Sequence, residues 1–489
     1  MNTFDNISPL DYRYYGGDKE VFEKLQPYLS ETAAIRYQLA VEVALVKTLA
    51  EKKICSRKVA DEIEKAAKTV TAAEVYEEEK RIKHNIRALV NCIRNKVSAE
   101  AKPYVHFTAT SNDIISTAES LRLKDAATNA LVPQLLQLEK TLIKIAKREK
   151  NTLQIGRTHG QHAEPITFGF TIASYISRLG GRISTITAAA NNMKGKFAGA
   201  VGAYNASSLL VKDAEEFEVS VLKKLRLKPS THSTQIVEPE FAADLMHSVT
   251  SAFGVMANVA DDMRHLQRTE IGEIAEEFKA DQVGSSTMPH KRNPINFENV
   301  KSLWKEFMPR MATVYADQIS EHQRDLTNSA SSRFLPEIIA AAFVAAKRLD
   351  AAMQKLVVVK ESLRRNFETS KSMIAAEPAY ILLAAAGHPD AHEYVRKLTL
   401  MAQQQQNLFA ETKSSMTTGP VAEATWKGLS KTEQKSFQDV LFNDAVAQPY
   451  LKKLTKQQLQ LLQNPEKYTG IAAEKTEKVC GYWEKELKI

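Results

Sequence analysis

The chain is 489 residues long and 44% hydrophobic, which is enough apolar material for a large core and predicts several domains. Its net charge of +8 is spread along the sequence without a basic run. The composition therefore gives little support for nucleic-acid binding, and a locally bound anionic substrate explains the charge equally well.

Cysteine usage and hydropathy predict a cytoplasmic protein. Cys55, Cys92 and Cys480 are odd in number and lack metal-like spacing, which argues against a disulfide framework and fits a reducing compartment. The first residues, "MNTFDNISPLDYRYYGG", lack the basic and apolar blocks of a signal peptide, and no run of 18 apolar residues occurs. We therefore expect no membrane partner.

Scarce glycine and alanine-rich stretches favour an all-α fold, since only 18 of the 489 residues are glycine. Four stretches repeat apolar residues at alternating spacings of three and four, as in a helix that buries one face. In chain order these stripes are 131–145, 245–266, 300–314 and 338–356. Each stripe needs a partner helix, so the pattern predicts a helix bundle.

Prolines and a polar stretch mark expected interruptions of these helices. Pro133 and Pro309 predict a kink or a late helix start in the first and third stripes. Beyond about residue 365 we expect a smaller helical domain, in which 411–420 has the composition of an exposed connector.

Seven polar, turn-rich segments separate the helical patterns, and each is rich in Ser, Thr, His, Arg or Asn. Binding and catalytic groups concentrate on such segments when a rigid scaffold holds them. The segments are 8–14, 105–113, 156–165, 199–208, 230–235, 284–294 and 323–333.

The segment "GSSTMPHKRNP" (284–294) combines two serines with a lysine and an arginine between two prolines. Asn293 and Pro294 have the pattern of an N-cap and first helical residue, which explains only the end of the segment. Backbone N–H groups, hydroxyls and a lysine are suited to holding a carboxylate or stabilising negative charge that develops during a reaction.

Two histidines, His159 and His162, lie three residues apart in "GRTHGQHAEP" (156–165). A metal site is disfavoured because no third ligand accompanies them. Each histidine is either a solvated loop residue or a general acid or base, and the residues alone do not decide between these roles. No nucleotide-binding motif appears, so we expect no cofactor.

Arginine together with hydroxyls suggests phosphate recognition in two segments. Arg13 and Tyr14 lie in the first, and Arg324, Ser329 and Arg333 lie in the last. The guanidinium fork binds two oxygens at once, although a single arginine is more often a surface ion pair.

The segment 284–294 resembles the signature loop of the fumarase/aspartase superfamily, and its "MPHKRNP" ending is similar to that of the adenylosuccinate lyase family. "SPLDYRY", "HFTATSND", "GRTHGQHAEP" and "QRDLTNSASSR" resemble segments of the same family, in the expected order. The resemblance implies a β-elimination that releases fumarate from adenylosuccinate, and from the succinylated aminoimidazole carboxamide ribotide of purine synthesis. The alternatives within the superfamily are argininosuccinate lyase and 3-carboxymuconate cycloisomerase.

The resemblance also implies roles for individual residues. Ser285 is the expected base, His159 the general acid, and Lys291 and Asn293 stabilise the charged intermediate. A loop that closes over the substrate brings Ser285 to it. The expected substrate-binding residues are His106, Thr110, Ser111, Thr158 and Gln235, with Arg13, Tyr14, Ser329 and Arg333 at the phosphate and Arg324 and Leu326 beside the base.

One departure from the family pattern concerns Lys83, His84 and Asn85, where an Arg-His-Asp run is common. Lysine does not replace arginine at a bidentate site. We therefore include His84 only as a neighbour of the substrate-binding residues.

The family fold implies an all-α subunit of three domains in a homotetramer whose active sites are shared between subunits. The expected division is 1–112, 113–364 with the signature loop at 282–296, and 365–489. The expected partner is a small phosphorylated dicarboxylate, with no metal and no nucleic acid.

Overall fold

The computed structural model describes residues 8, 10–277, 287–288, 290–416 and 436–489, with the side chains of 405–416 excepted. Helices dominate this part of the chain and its strands are few and short, so the predicted all-α class is confirmed. No helix among the described residues combines the length and the apolar character needed to cross a membrane.

The N-terminal region is a set of helices with side-chain caps, of which Glu31–Glu51 is the longest. Asp18, Ser30, Ser56, Thr71 and His84 each accept a hydrogen bond from a backbone N–H of the helix that follows, which fixes where these helices begin. The elements are a π-helical segment Leu10–Gly16, α1 Lys19–Leu29, α2 Glu31–Glu51, α3 Arg57–Ala67, α4 Ala72–Ile82 and α5 Asn85–Arg94.

The predicted bundle occupies the middle of the chain. Its helices are α6 Ser111–Ala126, α7 Val132–Arg148, α8 Phe168–Asn191, α9 Ala214–Lys224, α10 Glu240–Leu266, α11 Ile295–Phe307, α12 Met311–Ala316 and α13 Leu335–Gln354. The apolar stripe of α10 packs at the centre of the bundle, and Leu245, Val249 and Met263 are fully buried there. Helices α7, α8, α10, α11 and α13 contact one another along their lengths, which confirms that the stripes are partnered.

Both prolines interrupt helices as predicted. Pro133 lies in the first turn of α7, after the π-helical turn Ala127–Leu131. Pro309 lies in the 3₁₀ turn Met308–Arg310 that separates α11 from α12. Proline lacks the N–H that a helix interior requires, so the chain restarts its helix at each position.

Within the ranges that the structure describes, three pairs of short strands connect the helices. The longest pair is the antiparallel hairpin of β1 Leu153–Thr158 and β2 Gln161–Thr167. The others are β3 Lys194–Gly195 with β4 Lys228–Pro229, and β5 Ile274–Ala275 with β6 Val357–Val358. The last pair fixes the stretch that leads into the signature loop.

The C-terminal region has a second apolar core, which includes Leu383, Leu398 and Leu441. Its last helix returns to the bundle and packs on α7 and α8. The helices are α14 Lys360–Ile374, α15 Ala376–Ala385, α16 Ala391–Met416, α17 Phe437–Asn443, α18 Gln448–Leu451, α19 Lys456–Gln463 and α20 Ala472–Leu487. Residues 411–416, expected in a connector, continue α16, and 417–420 lie outside the described residues.

Candidate active site

His159 stands at the tip of the β1–β2 hairpin. Thr158 pairs with Gln161, which leaves His159 and Gly160 as a two-residue turn with φ values of 55° and 76°. Two positive φ values define a type I′ turn, whose twist matches that of the flanking strands. The turn exposes the His159 and Thr158 side chains to solvent, where a bound molecule can reach them.

His162 has a structural contact. Its Nδ1 lies 2.7 Å from the Ser370 Oγ of α14, and burial lowers the pKa of the ring. Within the described ranges no cluster of three His, Cys, Asp or Glu could hold a metal ion.

A buried carboxylate anchors the hairpin to the rest of the chain. Glu273 is fully buried and accepts hydrogen bonds from Arg157 Nη2 (2.6 Å), Gln154 Nε2 (2.8 Å) and Asn366 Nδ2 (2.9 Å). It thus joins β1, α14 and the stretch that enters the signature loop. Three donors satisfy its charge, which a buried carboxylate requires.

The signature loop is only partly described. Ser285, the expected base, lies outside the described residues. Lys291 is exposed, and its backbone N–H donates to the Met288 carbonyl at 3.0 Å. Asn293 is half-buried beside it. The expected cation and amide of the intermediate site therefore lie together on the outgoing side of the loop.

The expectation that Asn293 caps the next helix is wrong. Helix α11 begins at Ile295, and Pro294 occupies the N-cap position with φ −79° and ψ 59°. The Ile295 N–H donates to the Asn293 carbonyl at 2.9 Å, which makes an inverse γ-turn around the proline. The Asn293 side chain is therefore not the cap of α11, and the role at the intermediate that the resemblance implies for it stays a prediction.

The N-terminal segment lines a cavity of about 590 Å³. Arg13 and Tyr14 face it from the π-helical segment, and Lys347 and Arg348 face it from α13. Arg13 is exposed, whereas Tyr14 OH accepts a hydrogen bond from Asn299 Nδ2 at 3.4 Å. Carboxylates line the same cavity, and one of them, Asp18, pairs with Lys347 at 2.9 Å. The exposed guanidinium of Arg13 suits an anionic group.

His106 is held in a strained conformation by a buried glutamate. Its φ is 63°, and its Nδ1 lies 2.6 Å from Glu42 Oε1. Burial acts to lower the pKa of His106, but the hydrogen bond and charge of Glu42, helped by Asp113, raise it overall. Protonation of the ring is therefore easier than in a free histidine, and the positive φ marks a position fixed by its surroundings.

Gln235 brings three of the predicted segments together. Its Oε1 accepts a hydrogen bond from Asn112 Nδ2 at 3.2 Å, and its backbone N–H donates to the Gln323 carbonyl at 3.4 Å. Thr110 and Ser111 precede Asn112 at the start of α6 and are half-buried. The segments at 105–113, 230–235 and 323–333 thus meet within one chain.

The 323–333 segment is largely solvent-exposed in the single chain. Arg324 is partly buried, which lowers the pKa of its guanidinium, and its Nε donates to the Asp325 carbonyl at 2.9 Å. Ser329 and Arg333 are exposed, and Leu326 has an exposed fraction of 71%.

His84 has a local structural role. Its Nδ1 accepts a hydrogen bond from the Arg87 N–H at 3.2 Å and caps α5, while Lys83 ends α4 in the left-handed region at φ 57°. The departure at Lys83, His84 and Asn85 therefore forms the turn between two helices.

A buried ion pair beneath His106 and Gln235 was not anticipated. Lys196 and Asp113 are both fully buried and paired, and Asp113 also accepts hydrogen bonds from the Gly199 N–H (3.2 Å) and the Thr110 N–H (2.8 Å). The spacing of Thr110 and Asp113 follows a helix-start motif, which could have predicted the second contact. No local signal identifies Lys196 as its partner.

The predicted residues form separate groups within one chain. His106, Thr110, Ser111 and Gln235 lie near one another, and Arg13 and Tyr14 share a cavity with the start of α11. Among the described residues, no hydrogen bond or ion pair joins His159 to either group.

Comparison with known proteins identifies the family. A family model described as lyase matches residues 13–306, and one described as adenylosuccinate lyase C-terminal matches 320–437. An adenylosuccinate lyase from Archaeoglobus fulgidus is 32% identical over 486 residues, covering 99% of this chain and 100% of the relative. This chain belongs to the adenylosuccinate lyase family. It is a carbon–nitrogen lyase of the fumarase/aspartase superfamily.

One further relative agrees with the family assignment, and one solved structure agrees with the fold. An adenylosuccinate lyase from Pyrococcus abyssi is 36% identical over 403 residues, covering 81% of this chain and 87% of the relative. Among solved structures, a 3-carboxy-cis,cis-muconate lactonizing enzyme from Pseudomonas putida superposes with a TM-score of 0.76 and 22% identity, covering 98% of this chain and 99% of that chain. At that identity the superposition supports the fold alone.

Proposed function

We propose that this lyase eliminates fumarate from adenylosuccinate to give AMP, and from succinylaminoimidazole carboxamide ribotide, in purine biosynthesis. The observation that carries this proposal is the likeness to adenylosuccinate lyases over nearly the whole chain. The polar segments are consistent with it, because they offer a hydroxyl, an imidazole and several cations.

The elimination needs a base, an acid and a site for negative charge. Ser285 removes the proton next to the carboxylate, and His159 protonates the departing nitrogen. Lys291 and Asn293 stabilise the carboxylate as it gains charge. General acid and base groups contribute about 10²- to 10⁴-fold each, so positioning and charge stabilisation must supply much of the remaining acceleration.

Substrate recognition divides between two sets of residues. Thr158, His106, Thr110, Ser111 and Gln235 orient the succinyl part. Arg13, Tyr14, Ser329 and Arg333 bind the phosphate, with Arg324 and Leu326 beside the base. The exposed position of Arg333 and the cavity around Arg13 support this division.

The separation of these groups within one chain supports a shared site. We therefore propose a cytoplasmic homotetramer in which each active site takes segments from three subunits. Its partner is a small phosphorylated dicarboxylate, with no nucleic acid and no membrane. The division into 1–112, 113–364 and 365–489 stays a prediction.

The direct test is to mix the purified protein with adenylosuccinate and follow the ultraviolet absorbance for AMP and fumarate. Argininosuccinate and a carboxymuconate, which lack phosphate, serve as control substrates. Turnover of a control substrate without turnover of adenylosuccinate would overturn the proposed substrate. Ser285→Ala should bind substrate normally while kcat falls by several orders of magnitude, and near-normal turnover would remove serine from the base role.

Shared sites have a separate test. Ser285→Ala and His159→Ala are each expected to be inactive alone. When the two variants are unfolded together and refolded, mixed assemblies should contain sites with both native residues and regain activity. Absence of regained activity in mixed assemblies would contradict the sharing of sites between subunits.

A further inference from the structure

Helix α11 begins at Ile295, within the last residues of the expected signature loop 282–296, and has no side-chain cap of its own. Pro294 occupies the N-cap position and has no side-chain acceptor for the first N–H groups. A carboxylate from elsewhere takes that role, since Glu276 Oε1 accepts from the Asn296 N–H at 3.1 Å and the Phe297 N–H at 3.2 Å. A negative charge is favoured at a helix N-terminus, where N–H groups lack partners within the helix.

The same carboxylate connects the helix to the bundle. Glu276 Oε2 accepts from Asn296 Nδ2 at 2.7 Å, and Asn296 Oδ1 accepts from Arg348 Nη1 of α13 at 3.1 Å. Each oxygen of Glu276 is therefore engaged, and Asn296 cannot turn without losing one of its side-chain contacts.

Glu276 also ties the incoming side of the loop to the outgoing side. Its N–H donates to Gln267 Oε1 at 3.1 Å, and Gln267 Nε2 donates to the Arg292 carbonyl at 3.4 Å. We call Gln267, Glu276, Asn296 and Arg348 the loop clasp. The loop leaves the clasp after Glu276 and returns to it at Arg292.

We propose that Glu276 is a positioning residue for the elimination, which fixes Lys291 and Asn293 by holding both ends of the signature loop. This inference rests on the proposed function, because it assumes that Lys291 and Asn293 stabilise the intermediate. Asn293 precedes the capped turn of α11 by two residues, so movement of that turn displaces its side chain. Groups that act on charge developing in the transition state affect kcat more than KM.

The test compares Glu276→Ala with Asp213→Ala in the full-length enzyme. Asp213 caps α9, where its Oδ1 accepts from the Glu216 N–H at 2.9 Å, so both variants lose a carboxylate cap. We expect Glu276→Ala to lower kcat about 10- to 100-fold with little change in KM, as for a displaced catalytic group. Asp213→Ala should keep the wild-type kcat. A kcat for Glu276→Ala within twofold of the control would overturn the proposal.

A pair of conservative changes separates positioning from simple loss of stability. Glu276→Gln keeps the length but sets an amide NH₂ against a donor in either orientation, at Asn296 Nδ2 or at the backbone N–H groups of Asn296 and Phe297, so kcat should fall. Adding Asn296→Asp restores an acceptor that also pairs with Arg348, and kcat should recover toward the wild-type value. A double variant as slow as Glu276→Gln alone would contradict a role through this contact.

Hydrogen exchange at the amides of Asn296 and Phe297 separates the proposed role of Glu276 from the proposed substrate. Exchange there should accelerate in Glu276→Ala whatever substrate the enzyme uses, and unchanged exchange would overturn the clasp. If the wild-type enzyme fails to cleave adenylosuccinate while exchange still accelerates, the proposed substrate is wrong and the clasp stands.

Discussion

The β1–β2 hairpin and the segment 319–334 both carry residues of the proposed site, yet they are held in different ways. The hairpin is joined to α14 and to the loop entry by the fully buried Glu273, which Arg157 and two amide side chains contact. In the segment 319–334, by contrast, large apolar side chains face solvent. The exposed fraction is 79% for Ile319, 71% for Leu326 and 55% for Phe334.

The difference shows which parts of the site one subunit can fix alone. The three donors to Glu273 favour one position of the hairpin, because any other position would leave this buried carboxylate with unmade hydrogen bonds. Large apolar side chains left exposed along one short segment are typical of a surface that an assembly covers. We therefore expect the hairpin to be set by intrachain contacts, and the 319–334 segment to reach its functional form in the proposed tetramer.

The largest expected effect comes from breaking the hairpin anchor. Glu273→Ala leaves Arg157 without its partner at a poorly exposed position and should lower the free energy of unfolding by about 3–5 kcal/mol. Denaturant unfolding measures the loss. Glu270, exposed three residues earlier, provides the control, since Glu270→Ala should change stability by about 0.5 kcal/mol or less. A loss below about 1 kcal/mol in Glu273→Ala would mean that other contacts hold the hairpin.

A second buried carboxylate, Glu139 of α7, sharpens the comparison because it lacks the partners that Glu273 has. It is fully buried, neither oxygen has a hydrogen-bond partner, and burial raises its pKa to about 9. Since the folded pKa lies above the unfolded value, the native state is favoured fully below about pH 4 and loses this advantage as the pH rises toward 9.

Glu139→Gln should remove that pH dependence. At about 1.4 kcal/mol per pH unit, the wild type should lose roughly 2–4 kcal/mol between pH 5 and pH 8 relative to the variant. Denaturant unfolding of both proteins across this range provides the measurement. Parallel stability curves for the two proteins would show that Glu139 does not titrate as its burial implies.

The contact between α20 and the bundle gives a smaller effect with a matched control. A Cβ added at Gly180 would lie 2.4 Å from the Trp483 ring, whereas at Gly181 the nearest ring atom would lie at 3.9 Å. Gly180→Ala should therefore destabilise the protein by about 1–3 kcal/mol, and Gly181→Ala should be neutral or slightly stabilising in thermal unfolding. Equal effects of the two substitutions would show that α20 adjusts to the added methyl group.

The fold was largely predictable from sequence because its signals are local. The stripe from Leu245 to Leu266 repeats with helical spacing, and α10 covers it. Pro133 and Pro309 mark breaks for a reason that lies within the residue itself. Asn293 shows where local sequence signals stop predicting structure. Its cap pattern did not reveal that Pro294 adopts a nonhelical ψ. Nor did it reveal that the carboxylate of Glu276 caps α11.

For the candidate site, the sequence predicted which segments take part but not which side chains contact one another. Resemblance to a family suggested roles for His159 and Gln235, and the structure adds their surroundings. Contacts such as Lys196 with Asp113, or Glu276 with Asn296, join residues that are far apart in sequence or whose pairing depends on the loop between them. No periodicity or spacing encodes such pairs, since tertiary packing chooses them.

Replacing Arg333 has the smallest expected effect on stability. It tests the comparison in the exposed segment 319–334, to which Arg333 belongs. Its side chain faces solvent, so Arg333→Ala should change the free energy of unfolding by about 0.5 kcal/mol or less, in contrast to Glu273→Ala. If the guanidinium binds phosphate, the same variant should raise KM for adenylosuccinate roughly tenfold to a hundredfold, because charged hydrogen bonds contribute about 1.5–3 kcal/mol. An unchanged KM would remove Arg333 from the phosphate site, and a large loss of stability would show that the exposed segment is held within the subunit after all.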